Sequence, residues 1–355
     1  MTNTFLQTLG IAHPIIQAPM GGANATPPAL VSAVSNAGGL GFVGAAYMPP
    51  DQIARETKLI REQTSQPFGI NLFVTVESSP PHSADRAIAM LTPYHAELGL
   101  PAPTSPTLPT FTFDDQLDAV VGCGARVFSY AFGLLPTDTI RALQRRGMIV
   151  IGTATTVEEA VLHEQTGVDA VAVQGSEAGA HRGTFATTFD SAMIGTMALV
   201  PQVKRAIRVP VIAAGGIMNG AGIAAALKLG AVAAQLGTAF LVSDECGVAE
   251  SYKRAILSTA ENGTRVTRAF SGRPARGIVN RVLDEIERAE SANPGTILPY
   301  PYQNVLTRPM RTAAAQQDRA EYLSLWCGQG ARLARRMPAG RLMETLIDEL
   351  KQSSG

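Results

Sequence analysis

Ionisable chemistry is thin in this chain. Only 16% of its 355 residues are charged, five are histidine and three are cysteine. The cysteines, Cys123, Cys246 and Cys327, lie far apart and are odd in number, which argues against a disulfide framework and a cysteine-type zinc site. Buried thiols are expected. Net charge is missing too: Lys+Arg and Asp+Glu each count 29, so no general field draws nucleic acid or an anionic membrane. Neither is an expected partner. Long apolar runs are also absent, and AVAAQLGTAFLV is too short and too interrupted to cross a bilayer. The amino terminus, MTNTFLQTLGIAHPII, lacks the basic, apolar and small-residue succession of a secretory signal. A cytoplasmic location is the expectation.

What is present is apolar material in a regular beat. With 46% hydrophobic residues the chain can bury one large core, or a core plus a smaller module. Eight short runs read as strands, at 14–19, 40–44, 68–74, 125–132, 148–154, 168–175, 209–216 and 231–241. They are apolar without clean alternation, as parallel strands covered by helices are. Between them fall helical segments such as PPALVSAVSNAGG, TVEEAVLHEQTG and NGAGIAAALKLG, opening on Pro, Thr or Asn and closing on Gly. Eight such units predict an α/β protein of the (β/α)8 TIM-barrel class. The barrel is expected over 1–74 and 125–244, completed by about 325–355. Residues 75–124 then form an insertion and 245–324 a mostly helical cap. Long segments of this kind are lids and binding elements in some proteins, and peripheral scaffold or oligomer surface in others.

Active sites of such barrels gather at the carboxyl ends of the strands. Here those ends read QAPMGG, GFVG, NLFV, SYAFG, GTAT, QGSEAGAHRG, AAGG and QLGTAF, and only Glu177, His181 and Arg182 are ionisable. No cluster of His, Asp or Glu offers a metal site. The lysines, Lys58, Lys204, Lys228, Lys253 and Lys351, fall on predicted helices or the tail, which excludes a strand-borne Schiff base. A single carboxylate, Glu177, excludes two-carboxylate glycosidase chemistry; it could instead order its loop by bonding backbone N–H groups, with Arg182 paired to it or to solvent. Ser176 stands where a nucleophilic cysteine would be needed.

Glycine, amide and hydroxyl groups remain. Gly215, Gly216, Gly237 and Thr238 end two consecutive strands and offer backbone N–H groups to a phosphate, against the alternative that they only relieve crowding. Asn71, Gln174 and Gln235 have side chains suited to the edge of a heterocycle. A bound cofactor would supply the chemistry that the side chains lack. His13, His82, His95 and His163 are placed away from strand ends and read as solvated or structural. His181 sits in a glycine-rich loop with no apolar face to fill, and reads as the functional histidine.

At these residues the sequence resembles the nitronate monooxygenases, a flavin mononucleotide family on the same barrel. QAPMGG, NLFV, QGSEAGAHRGTF, AAGGI and QLGTAFL carry the resemblance in order along almost the whole chain, with LWCGQGARLAR resembling the family's ending. The resemblance implies that Asn71, Gln174, Gly179, Gly216, Gln235, Leu236, Gly237 and Thr238 contact FMN, that Met20 lies against its ring, and that His181 is catalytic. The implied reaction takes an anionic alkyl nitronate and O2 to a carbonyl compound and nitrite. His181 would act either as a base on a neutral nitroalkane or as an anion-holding donor. Tyr300, Tyr302 and Arg308 are expected to line the mouth. A monomer or homodimer is expected, with no metal. Two positions depart from the family pattern: Ala180 stands where relatives commonly have glycine, and Ala131 where many have histidine. The nearest rivals are a flavin-dependent enoyl-thioester reductase using NAD(P)H and a flavin-binding protein without turnover.

Overall fold

The computed structural model describes residues 4–74 and 79–353. The first four residues of the expected insertion, 75–78, lie outside the described residues. Eleven strands occur among those described, numbered in chain order. Eight are parallel and form one sheet: β1 (Ile15–Gln17), β2 (Gly41–Gly44), β3 (Phe68–Phe73), β4 (Val127–Ala131), β5 (Ile149–Ala154), β6 (Ala170–Gln174), β8 (Val211–Ala214) and β9 (Ala233–Leu236). The remaining three, β7 (Ala180–His181), β10 (Thr264–Thr267) and β11 (Ala275–Ile278), make a small antiparallel sheet in the order β10-β11-β7.

The large sheet runs β1-β9-β8-β6-β5-β4-β3-β2. A parallel bridge between Ile16 and Leu40 brings its two ends together. This seam is short, and a side chain reinforces it. Gln17 is fully buried, its Oε1 accepts from Phe42 N at 3.0 Å, and its Nε2 donates to Phe42 O at 3.2 Å. The carboxamide thus serves as a peptide group in a ladder that β1 is too short to complete.

Strand residues divide by parity, as side chains on successive residues must. Phe42, Ile149, Ile151, Ala170, Ala172, Ile212 and Ala233 point inward and form one apolar cluster, which Phe5 and Leu9 of the helix Thr4–Leu9 extend. Phe42 needs the space over β3 that Gly69 leaves: a Cβ there would lie 2.3 Å from its ring. The alternate set, including Phe128, Tyr130, Val150, Val171 and Val173, packs outward with the surrounding helices in a second cluster. Both faces of every parallel strand are therefore covered, which is why the sequence showed no polar alternation.

The six crossover helices expected from the sequence are present at Pro28–Asn36, Pro50–Gln63, Thr137–Arg145, Val157–Thr166, Thr196–Ala206 and Gly220–Lys228. Within 79–124 the chain forms the helices Asp85–Glu97 and Phe113–Gly122, the latter opened by a capping box of Thr112 and Asp115. The last helix, Ala339–Ser353, packs on Pro28–Asn36 and Gly220–Lys228. There Glu349 accepts from Gly220 N at 2.9 Å.

Two local expectations are corrected. The eighth strand stops at Leu236, and 238–241, read as its continuation, form one helical turn. The 245–324 excursion is helical at Glu250–Ser258, Arg281–Ala292 and Tyr302–Gln316, but it also carries the β10–β11 hairpin. All three cysteines are free and buried, and burial pushes the Cys327 thiol up to about 12. Among the described residues, no helix is long and apolar enough to cross a membrane.

Candidate active site

The carboxyl ends of β1, β3, β4, β6, β8 and β9 open onto one cavity of about 610 Å³. Met20, Asn71, Gln174, Gly215, Gly216, Gln235, Gly237 and Thr238 line it from the barrel side, together with Gly179 and His181 of the loop after β6. The helix Tyr302–Gln316 closes the other side. Its residues Asn304, Arg308, Arg311, Thr312, Ala315 and Gln316 all line the cavity, spaced as one helical face.

The loop after β6 is held from within. Gln174 Nε2 donates to His181 O at 2.9 Å, and its Oε1 accepts from Gly183 N at 2.8 Å. Arg182, expected to meet Glu177 or solvent, does neither. It is buried, and its guanidinium donates to the carbonyls of Gln174, Gly175 and Ala192 at 2.7–3.0 Å. Glu177 turns to the helix Thr196–Ala206, accepting from Thr196 N at 2.9 Å and Thr196 Oγ1 at 2.8 Å. A carboxylate at a helix N-terminus is favourable for both hydrogen bonding and dipole. Glu159, which sequence reasoning passed over, fastens the loop's far end. It is fully buried and accepts from Thr155 N, Thr155 Oγ1, Phe185 N and Ala186 N at 2.6–3.1 Å.

The cap holds the loop from outside. β7 pairs antiparallel with β11, placing His181 opposite Ala275 and Ala180 opposite Arg276. Arg276 donates to Ser176 O at 3.1–3.2 Å. Gly179 meets the backbone of the late segment, where an added Cβ would fall 2.6 Å from Cys327 C and Gly328 N. A side chain would part the two segments. Ala180 adopts φ +61°, the left-handed region.

His181 stands inside an aromatic enclosure. The rings of Trp326, Phe132, Tyr300 and Phe73 lie 5.6, 5.8, 5.8 and 6.2 Å from its own, centroid to centroid. Its Nε2 is shut off from bulk solvent and has no hydrogen-bond partner in the protein. Burial first, and then the positive charges of Arg273 and Arg311, hold its pKa down at about 3. The imidazole is therefore neutral at any ordinary pH. Phe132, at φ +79°, is a second backbone outlier beside it, and such strain gathers at functional sites.

Among the described residues, charge in the cavity has one sign: Arg308 and Arg311 line it, and no Asp or Glu does. Arg311 is anchored through Nη2, which donates to Asn304 O and Oδ1 at 2.8 Å. Its buried Nε has no partner. Burial lowers its pKa to about 10, so it remains a cation.

Of the residues singled out from sequence, His181, Met20, Asn71, Gln174, Gly179, Gly215, Gly216, Gln235, Gly237, Thr238 and Arg308 meet at this cavity. Leu236 is buried in the core, so that only its backbone is near. Tyr302 is buried in its helix and does not line the cavity. Tyr300 is part of the enclosure, its ring against His181 and Phe132, and does not line the cavity. Tyr47, Trp326 and Arg311 line the cavity and were missed; only the i, i+3 spacing of Arg308 and Arg311 could have signalled the last. His163 is structural as expected: buried, 3.1 Å from the Tyr130 hydroxyl and 3.0 Å from Thr153 O.

With this geometry in hand, similarity to known proteins is informative. Residues 3–349 match the family described as nitronate monooxygenase. A probable nitronate monooxygenase of Staphylococcus saprophyticus is 41% identical over 347 residues, covering 97% of this chain and 96% of its own. One from Staphylococcus aureus is 41% identical over 352 residues, covering 99% and 98%. Among solved structures, nitroalkane oxidase from Streptomyces ansochromogenes matches with a TM-score of 0.88 at 41% identity over 98% of each chain. FabK from Thermotoga maritima matches with a TM-score of 0.77 at 30% identity, over 99% of this chain and 97% of its own.

Proposed function

The chain belongs to the nitronate monooxygenase family, and from that premise we propose that it is an FMN-dependent oxidase of alkyl nitronates. In this reading it takes propionate 3-nitronate, simple alkyl nitronates or nitroalkanes with O2 to a carbonyl compound and nitrite. The observation that carries it is the cavity's charge: Arg308, Arg311 and a neutral, solvent-shielded His181 face one space that no carboxylate lines among the described residues. That space suits an anion whose chemistry needs dryness more than acids.

The residues present fit a flavin mononucleotide. Two glycine-bearing strand ends offer backbone donors for a phosphate, and at Gly237 an added Cβ would meet only Ala18 Cβ, at 3.7 Å. Gly215, Gly216, Gly237 and Thr238 would hold the phosphate. Asn71, Gln174 and Gln235 would meet the ring edge, with Gly179 and the Leu236 backbone near it and Met20 against its face. Gln174 keeps one N–H for this task, since its other groups are committed to the loop. When bound, the flavin supplies the electron transfer and oxygen chemistry that the side chains lack.

The protein's own part is to hold and shield. Arg308 and Arg311 attract the nitronate oxygens, and the aromatic rings around His181 exclude water. A base works best with a pKa near the operating pH. His181, held at about 3, is far from that, which supports the role of a hydrogen-bonding anion holder over that of a base.

The visible spectrum of the purified protein, followed by oxygen uptake with propionate 3-nitronate and alkyl nitronates, tests the proposal. A colourless protein that takes up no added FMN overturns it. Rapid bleaching by NADH under anaerobic conditions, without nitronate-dependent oxygen uptake, would mark an enoyl-thioester reductase instead. A yellow protein inert to both would be a flavin binder. His181→Asn is expected to lose activity on nitroalkane and preformed nitronate alike; loss on nitroalkane alone would restore the base role.

A further inference from the structure

Arg273 lies in the cap, just ahead of β11, about ninety residues along the chain from the loop it touches. Its Nε donates to Arg182 O at 3.3 Å and its Nη2 to Thr184 O at 2.5 Å. Its guanidinium carbon stands 3.8 Å from the centre of the Phe132 ring. Next to it, Pro274 O accepts from Arg182 N at 3.0 Å, and Ala275 pairs with His181 across the small sheet.

We propose that Arg273 is a positioning residue for His181, one guanidinium fixing both the backbone that follows the imidazole and the aromatic ring that walls it. The two targets are otherwise independent. The 182–184 backbone belongs to the loop after β6, whereas Phe132 directly follows β4 in a left-handed conformation. A planar fork can donate in its plane and stack through its face at once, which an ammonium cannot. Were it removed, the Phe132 ring would keep Phe73, Tyr300 and His181 as neighbours but lose the group that ties it to the 182–184 backbone.

The charge matters as well as the shape. The charged and titratable groups around His181 are Arg273 from the cap segment ahead of β11, Arg308 and Arg311 from the helix Tyr302–Gln316, Tyr300 ahead of that helix and Tyr47 after β2. Glu159 acts on Arg273 electrostatically, its own oxygens taken up by backbone and hydroxyl donors. Arg273 adds positive charge beside the imidazole and reinforces what burial does to keep it neutral.

This inference rests on His181 working at the reacting site, and two variants of the full protein test it. Arg273→Met removes fork and charge; Arg273→Lys keeps the charge alone. With a nitronate, both are expected to lose kcat on the order of 10- to 100-fold, while KM changes by less than about threefold. The acid limb of the pH–rate profile is expected to move toward neutrality in Arg273→Met and to stay in place in Arg273→Lys. NMR of the His181 imidazole gives a second readout, independent of turnover. It is expected to be silent to titration from about pH 5 to 8 in the wild type, and its protonation midpoint to move upward in Arg273→Met.

Wild-type kcat, acid limb and imidazole resonances in Arg273→Met would overturn the proposal. If Arg273→Met does not fold, Arg273→Lys decides: kcat within about twofold of wild type overturns it. Should the wild type show no nitronate-dependent oxygen uptake, the functional reading falls, and the imidazole resonances still judge Arg273 by themselves.

Discussion

His181 and His163 are both kept neutral by burial, at about 3 and about 4 against an ordinary 6.5. Each therefore binds a proton more readily in the unfolded chain than in the folded one. Stability present above about pH 6.5 is lost as pH falls toward the folded values, at up to roughly 3 kcal/mol per pH unit for the two together. Urea unfolding at pH 7 and pH 5 is expected to show this loss, and His163→Gln to remove about half of it. An unchanged slope in that variant would mean other groups dominate. Ala180, at φ +61°, tests backbone strain at the same loop. Glycine there would relieve about 1 kcal/mol of left-handed cost and give back a similar amount in unfolded-chain entropy. Ala180→Gly is thus expected to unfold within about 1 kcal/mol of wild type. A loss above about 2 kcal/mol would show that the methyl group itself is packed.

Among the elements, two carboxylates fasten the loop after β6 at its two ends. Glu159 accepts four hydrogen bonds while fully buried, and in Glu159→Gln one acceptor becomes a donor facing other donors. The expected cost is about 2–4 kcal/mol. Glu177→Gln, which weakens one helix cap, is expected to cost about 1 kcal/mol. Equal losses in denaturant titrations of the two variants would refute this ordering. The parallel strands and their helices were legible from sequence because each carries its own signal: a short apolar run, a Thr or Asn cap, a closing glycine. The β7–β11 pairing was not. β7 has two residues, and its partner β11 is more than ninety residues away, so that neither local propensity nor periodicity marks it. The helical turn at 238–241 was hidden for a related reason, since TAFL suits a strand until Gly237 ends the ladder. Within the site, the strand-end glycines and His181 could be read from the loops that carry them. Arg311 and Arg273 could not, because their importance arises only where the cap folds back over the barrel.

On the scale of the whole molecule, charge is balanced overall and unbalanced where it counts. The 29 acidic residues offset 29 basic ones, and many pair at the surface, as Arg336 does with Glu250 at 2.7 Å and Arg319 with Glu321 at 2.9 Å. Such pairs contribute little to stability, yet they cancel the long-range field. An approaching anion then meets no steering potential until it reaches the cavity, where no carboxylate among the described residues opposes Arg308 and Arg311. Salt screens over about 30 Å at 0.01 M and about 10 Å at 0.1 M, so a tenfold rise in ionic strength removes distant fields and spares close contacts. For a nitronate substrate, kcat/KM is expected to change by less than about twofold across that range. Arg311→Gln should instead raise KM for the nitronate by about tenfold, the worth of a charge-assisted hydrogen bond, and raise it less for the neutral nitroalkane. Initial rates on both substrates at the two salt levels separate the possibilities. A steep salt dependence with no preference for the anion would mean that surface charge recruits the substrate, and that Arg311 serves the helix Tyr302–Gln316 and its Asn304 anchor.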